Sequence, residues 1–331
     1  MDIKLKKSCF IISLDFELYW GVQHRLSLEE SKNILLNTRS AIPKILNIFI
    51  ENDIHATWAT VGFLFFETKD ELLNSLPNRI PQYKNYRLSS YRNITNIGCN
   101  EKEDPFHFAP SLIKQIASTN HQEIGTHTLS HYYCLEESQD SDMFRDDLAV
   151  AMNIARKYDI QIKSIIFPKN QINTNYLPIC AEFGIMSYRQ NQDNWIYLER
   201  DTNSDSLLIR GIRLLDNYIN ITGYNSNFMT YEPNKYPIAI PASRLLKPYA
   251  KEPSWLLAMK IHRILSDMTY AAKNSLIYHL WWHPHNFGQH TEQNLIILDN
   301  ILQHYNILKS EYGMESLNMN EISQRVINGE A

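Results

Sequence analysis

Residues 9–21 read C-F-I-I-S-L-D-F-E-L-Y-W-G, an apolar run that ends in two carboxylates. The segment Cys9-Phe10-Ile11-Ile12 has the unbroken apolar character of a β-strand buried on both faces. Acids at the end of such a strand are costly to bury without partners. Asp15 and Glu17 therefore either cap and pair structurally or face a cation or a substrate. Period-two alternation puts both carboxylates on the same side of an extended segment, with Phe16 pointing away into packing.

Outward from this strand, short β-rich runs alternate with helical patterns. Strands are expected at 10–14, 55–60, 123–127, 164–167, 185–189, 238–240 and 275–282. Helical spacing of apolar residues marks 28–51, with a break expected near Pro43, and also 110–118, 142–158 and 291–308. This order predicts an α/β architecture of βα units around a parallel sheet or barrel, with polar residues gathered at the C-terminal ends of the strands. Two segments interrupt the pattern, 68–105, which is polar and rich in Asn, Arg and Tyr, and 191–237, which is rich in Asn and Tyr. They read as long βα insertions in one domain spanning 1–331, of the kind that form lids or substrate walls.

Composition narrows the function. With 331 residues, 44% of them hydrophobic, the chain can bury a large core. Lys and Arg total 32 against 36 Asp and Glu, so the net charge of -4 leaves no basic surface for a nucleic acid. The four cysteines, at 9, 99, 134 and 180, form no C-x-x-C pair and read as reduced and packed. No uncharged stretch approaches the roughly 20 residues that cross a bilayer. The N-terminal apolar run is cut by Asp15 and lacks a small-residue cleavage site, so the expectation is a cytoplasmic protein without a transmembrane segment, able to work on membrane-linked substrates.

A second informative stretch, 123–131, reads E-I-G-T-H-T-L-S-H. Histidines at i and i+4 share one face of a helical turn, a common way to hold a divalent metal, with Thr128 and Ser130 placed to orient the rings. Twelve histidines in this chain give roughly 0.4 such pairs by chance, and His279 with His283 makes another, so spacing alone is a weak sign. Combined with a strand-end acid, however, two histidines make an open metal site with room for water and substrate.

Together, S-L-D-F-E and H-T-L-S-H resemble the first two motifs of the polysaccharide deacetylases, the NodB-like carbohydrate esterases, whose usual forms are T-F-D-D and H-[ST]-x-x-H. The L-W-W-H at 280–283 is similar to the final L-x-x-H motif of that family. The resemblance implies a distorted (β/α)7 barrel, a divalent ion (zinc first, with cobalt, nickel or iron as alternatives), and hydrolytic removal of an acetyl group from a sugar. By a D-x-E variant of the first motif, Asp15 would be the general base and Glu17, His127 and His131 the metal ligands, with the choice of acid at the metal left open. His283, at the end of its strand, is preferred over His279 as the general acid.

The third family motif usually places an arginine beside a proline, whereas 166–171 here reads I-F-P-K-N-Q. Lysine does not reproduce the planar guanidinium fork. Lys169, Asn170 and Gln171 are therefore expected to bond sugar hydroxyls or the acetyl group, and Arg189 to replace the missing arginine as the anchor of Asp15. Asp193 and Trp195 faintly echo the fourth motif, and Trp20 is a candidate face for a sugar ring. The expected partner is an acetylated sugar or glycan precursor of surface polysaccharide or lipopolysaccharide. The alternatives are an allantoinase-like amidohydrolase acting on a non-sugar amide and a non-catalytic glycan-binding relative.

Overall fold

A computed structural model describes residues 2–3, 5–192, 194–197, 207–232 and 235–330. Its strands are β1 Asp2–Ile3, β2 Cys9–Phe16, β3 Ala56–Thr60, β4 Gln122–Thr126, β5 Ser164–Ile165 and β6 Ser187–Gln190. They continue with β7 Met229–Thr230, β8 Ile238–Pro241, β9 Arg244–Leu245, β10 Ile277–Trp282 and β11 Glu315–Ser316. Helices α1 Tyr19–Val22, α2 Leu28–Glu51, α3 Lys69–Asn74, α4 Pro110–Ser118 and α5 Ser141–Arg156 lie in the first half. The rest are α6 Leu177–Glu182, α7 Leu207–Leu215, α8 Ser254–Asn274, α9 Thr291–Tyr312 and α10 Met319–Ile327.

The main ladder runs β8-β6-β5-β4-β3-β2-β10-β9, parallel throughout. Its two ends, β8 and β9, are halves of one segment kinked at Ala242 and Ser243. Ala242 N donates to Gln190 O at 2.8 Å on one side, and Ser243 N donates to His279 O at 2.9 Å on the other. The ladder thus returns on itself, and the seven staves form the distorted (β/α)7 barrel expected from the sequence.

Alternation along β2 sorts its side chains. Phe10, Ile12, Leu14 and Phe16 pack outward against the helices, whereas Cys9 and Ile11 belong to a second core with Ala59, Ile166, Ile240 and Ile277 inside the barrel. Met319, Ile322 and Val326 of α10 complete that inner core, and Met319 N donates to Thr57 Oγ1 at 2.8 Å. The C-terminal helix thereby plugs the N-terminal end of the barrel, and Ser13 and Asp15 continue the inward face toward the other end.

One expectation needs correction. The helix expected to break near Pro43 runs from Leu28 to Glu51 without interruption. Buried Leu35, Ala41, Ile42, Ile45, Leu46 and Phe49 hold it to the core on both sides of the proline, which outweighs the one backbone bond that proline cannot donate. Residues 68–105 form an insertion between β3 and β4, as expected, and carry α3 and short 3₁₀ turns. Among the described residues, no helix is long and apolar enough to cross a membrane.

Candidate metal and catalytic site

Asp15 near the end of β2, Glu17 just beyond it, His127 and His131 after β4, Arg189 of β6 and His283 after β10 meet at the C-terminal mouth of the barrel. This is where parallel barrels carry their chemistry. The ligand atoms of Glu17, His127 and His131 all lie within 4.8 Å of one another, and all three residues are buried. His131 Nε2 stands 3.0 Å from Glu17 Oε2, and the two imidazole centroids are 5.1 Å apart. His283 Nε2 lies 3.0 Å from Glu17 Oε1 and 3.6 Å from Asp15 Oδ2. Phe16 points away and packs edge-on against Trp58, as alternation requires.

Arg189 holds Asp15 in a two-pronged grip, with Nη1 to Oδ1 and Nη2 to Oδ2 both at 2.8 Å. The same guanidinium donates to Ser13 Oγ at 3.1 Å and to Asn170 Oδ1 at 2.7 Å, and its face lies 4.1 Å from the centroid of Trp281. His279 is a strand-interior residue, 2.8 Å from Ser13 Oγ.

The charge balance follows from these contacts. Burial alone would raise the Asp15 carboxyl, but Arg189 first, then His127 and His283, outweigh it and hold Asp15 below the usual carboxylate range. Burial likewise opposes ionisation of Glu17, and the nearby His283 and His131 hold it well below its ordinary value. Burial pushes His127 down to about 4 despite the pull of Asp15, so its ring is neutral and free to ligate. For His283 burial acts downward, and the attraction of Glu17 and then Asp15 prevails, raising it. Nδ1 of both His127 and His131 is buried without a hydrogen-bond partner. A buried carboxylate beside two imidazoles, one of them firmly neutral, with ring nitrogens left unsatisfied, fits a divalent ion that prefers mixed nitrogen and oxygen ligands.

The histidine pair does not sit on a helical turn. Residues 127–133 form a bend in which Thr128 and His131 take left-handed φ angles of 64° and 59°. Thr128 Oγ1 accepts from Tyr132 N and donates to His127 O, and Ser130 Oγ bonds Asp147, so neither hydroxyl orients an imidazole. The bend is held from outside instead. Asp147 accepts from Leu129 N at 2.7 Å and Ser130 N at 3.2 Å, and Ser130 O accepts from Ser90 Oγ of the first insertion at 2.7 Å. A sequence signal for Asp147 exists: it falls on the apolar stripe of α5 with Phe144, Leu148 and Ala151, where a charge needs a reason.

Burial lifts the Asp147 carboxyl from its ordinary 3.8 to about 7, against the bonds from Ser130 and Leu129. Between those pH values the folded chain holds a proton that the unfolded chain has released, so the stability owed to this group falls as pH rises through the window. Asp147→Asn is expected to flatten that slope in urea unfolding from pH 4 to 7. If Glu17, His127 and His131 hold zinc, the same change should also weaken zinc binding roughly 10–100-fold, the usual cost of removing a group that supports metal ligands from outside. A variant with unaltered slope and zinc affinity would exclude this role.

Other expected site residues land elsewhere. Trp20 is buried, with Nε1 donating to His107 O at 3.0 Å and its ring against Phe63, so it packs under the site and shows no face to a sugar. Gln171 is also buried. Its Oε1 accepts from Leu135 N at 3.1 Å and its Nε2 donates to Glu136 Oε1 at 3.0 Å, which uses up the amide structurally. Asn170 supports Arg189. Lys169 stays exposed at the rim, with its ammonium 4.6 Å from the Tyr133 ring centroid and its pKa lowered to about 8, chiefly by partial burial. Asp193 lies outside the described residues. Beside Asp147, sequence reasoning also missed Gly21 of α1, where an added Cβ would stand 1.4 Å from Glu17 Oε2.

The parallel barrel thus gathers a buried Glu-His-His group at its C-terminal mouth, an arrangement that could hold a divalent ion. The polysaccharide deacetylase family model matches residues 36–188, somewhat less than half of the chain, and that span contains His127 and His131 but neither acid nor His283. The fold agrees over nearly the whole length. A Mycobacterium smegmatis protein assigned to the polysaccharide deacetylases superposes with a TM-score of 0.64 at 12% identity, covering 99% of this chain and 94% of its own. Puue allantoinase gives a TM-score of 0.55 at 10% identity, covering 96% and 88%. No curated protein sequence matches this chain. The resemblance to the polysaccharide deacetylases, a family of hydrolases, therefore holds in both the family match and the fold.

Proposed function

We propose that the protein is a metal-dependent deacetylase of an N-acetylated sugar. The convergence of Glu17, His127 and His131 within 4.8 Å, beside an Arg189-bound Asp15 and a His283 that contacts both acids, carries this reading. Glu17, His127 and His131 would hold the ion, zinc first among the borderline metals. Bound there, it would supply Lewis-acid polarisation of the acetyl carbonyl and a water of lowered pKa.

The chain's own residues do the rest. Asp15, oriented by the two bonds from Arg189, accepts the proton of the attacking water. His283, whose proton is favoured by the two carboxylates at 3.0 and 3.6 Å, delivers it to the leaving nitrogen, which departs poorly as an anion. Lys169 and Trp281 at the mouth are available to the sugar.

A single barrel domain working in the cytoplasm would act on a precursor, an N-acetylhexosamine in a nucleotide-linked or lipid-linked intermediate of surface polysaccharide or lipopolysaccharide assembly. The test is amine release from N-acetylated sugars by the chelated and the zinc-reloaded enzyme, with metal analysis of wild type and His127→Ala. Expected are loss of turnover on chelation, recovery with metal, and no bound ion in the variant. Turnover that survives chelation, or a preference for a non-sugar amide such as allantoin, would overturn the proposal.

A further inference from the structure

We propose that the opposite, N-terminal rim of the barrel carries a second divalent-cation site, formed by Asp53, His55 and His121. Asp53 and His55 lie in the turn from α2 into β3, and His121 lies in the turn from α4 into the neighbouring β4. Their ligand atoms are all within 4.8 Å of one another. The two imidazoles stack with centroids 3.9 Å apart and planes 4° from parallel, at the far end of β3 and β4 from the barrel mouth.

The second observation is how His55 is held. Its Nδ1 meets both oxygens of Glu321, at 2.9 and 2.7 Å, which leaves Nε2 facing Asp53 Oδ1 at 3.9 Å. A carboxylate on one imidazole nitrogen that presents the other nitrogen outward is the arrangement that fixes tautomer and direction in metal-binding histidines. Glu321 is itself fixed, because Asn318 N donates to its Oε2 at 2.9 Å in the capping box of α10. Lys309 occupies Oδ2 of Asp53 at 2.9 Å and leaves Oδ1 turned to the histidines. Asp53 and His55 thus each keep one atom for a cation.

Two imidazoles and one carboxylate suit zinc, cobalt, nickel or copper better than calcium or magnesium, which prefer all-oxygen shells. Donors of a tetrahedral ion with bonds of about 2.1 Å stand roughly 3.4 Å apart, so His121 must tilt out of the stack, a motion open to an exposed side chain. A bound ion would tie the starts of β3 and β4, through His55 and Glu321, to the helix that plugs the barrel. The site is independent of the deacetylase reading, since it shares no residue with the mouth.

Zinc titration of the full-length protein by calorimetry, on wild type, His121→Ala, Asp53→Asn and His127→Ala, tests it. Both rim variants change exposed side chains, and circular dichroism will verify that they fold. The expected result is a binding event that weakens at least tenfold in His121→Ala and in Asp53→Asn and persists in His127→Ala. Rim variants that titrate like wild type would overturn the proposal, as would a wild-type protein whose only binding event disappears in His127→Ala. Loss of zinc in the rim variants alone would support the rim site and count against the mouth site, so the two readings fail separately.

Discussion

An Arg189→Met variant is expected to lose about 3–5 kcal/mol of folding stability, and to regain most of it when Asp15 is changed to asparagine in the same chain. Arg189 and Asp15 are both buried, and the guanidinium spends four hydrogen bonds on Asp15, Ser13 and Asn170. Methionine can fill the volume beside Trp281 but leaves a buried carboxylate without the guanidinium that grips it. Breaking such a pair from one side costs far more than replacing both members, because the remaining charge stays desolvated. The double variant Arg189→Met, Asp15→Asn removes that charge and isolates the coupling. Turnover should fall in both variants, so urea unfolding is the discriminating measurement. A single-variant loss below about 1 kcal/mol, or a double variant no more stable than Arg189→Met, would show that the pair is not what holds this corner of the barrel.

The contrast between what the sequence shows and what it hides has physical causes. Strands buried on both faces are plain, because β2 and β10 write their burial as largely apolar runs, and all seven expected staves form. The acids and histidines stand out because such groups rarely end strands without a reason. Helix α8 was not legible. Its buried face follows helical spacing, but Lys260, Arg263 and Asp267 take positions beside Ile264, Met268 and Ala271. Those charges are satisfied internally: Arg263 pairs with Asp267, Arg244 Nη2 lies 3.1 Å from Asp267 Oδ2, and Lys260 donates to Pro248 O at 3.1 Å. A hydrophobicity pattern cannot register a face whose partners are charges from distant segments. The bend carrying His127 and His131 was misread for the same reason, since Asp147, Ser90 and the backbone of Gly62 and Phe63 shape it from outside. Trp20 was misassigned because proximity to a strand end does not say which way a ring turns.

Gly21→Ala is expected to weaken zinc binding at the mouth to the level of Glu17→Gln, at least about 100-fold below wild type, beyond the loss seen when only an outer partner of a ligand is removed. Gly21 sits in the one-turn helix α1 with ordinary helical geometry, where alanine would normally be the better residue. Space forbids it. The added methyl would lie 1.4 Å from Oε2 and 2.1 Å from Cδ of Glu17, so the carboxylate must leave its position between His131 and His283. Because the clash falls on a side-chain end and not on backbone, the helix should persist and the melting temperature change little, while zinc binding at the proposed mouth site is lost. Zinc affinity equal to wild type in Gly21→Ala would mean that Glu17 can ligate from another rotamer. A protein that fails to fold would place the clash on the core instead. The glycine four residues after Glu17 is therefore tied to the stretch Asp15–Glu17 in a physical sense: it keeps open the volume that the Glu17 carboxylate occupies.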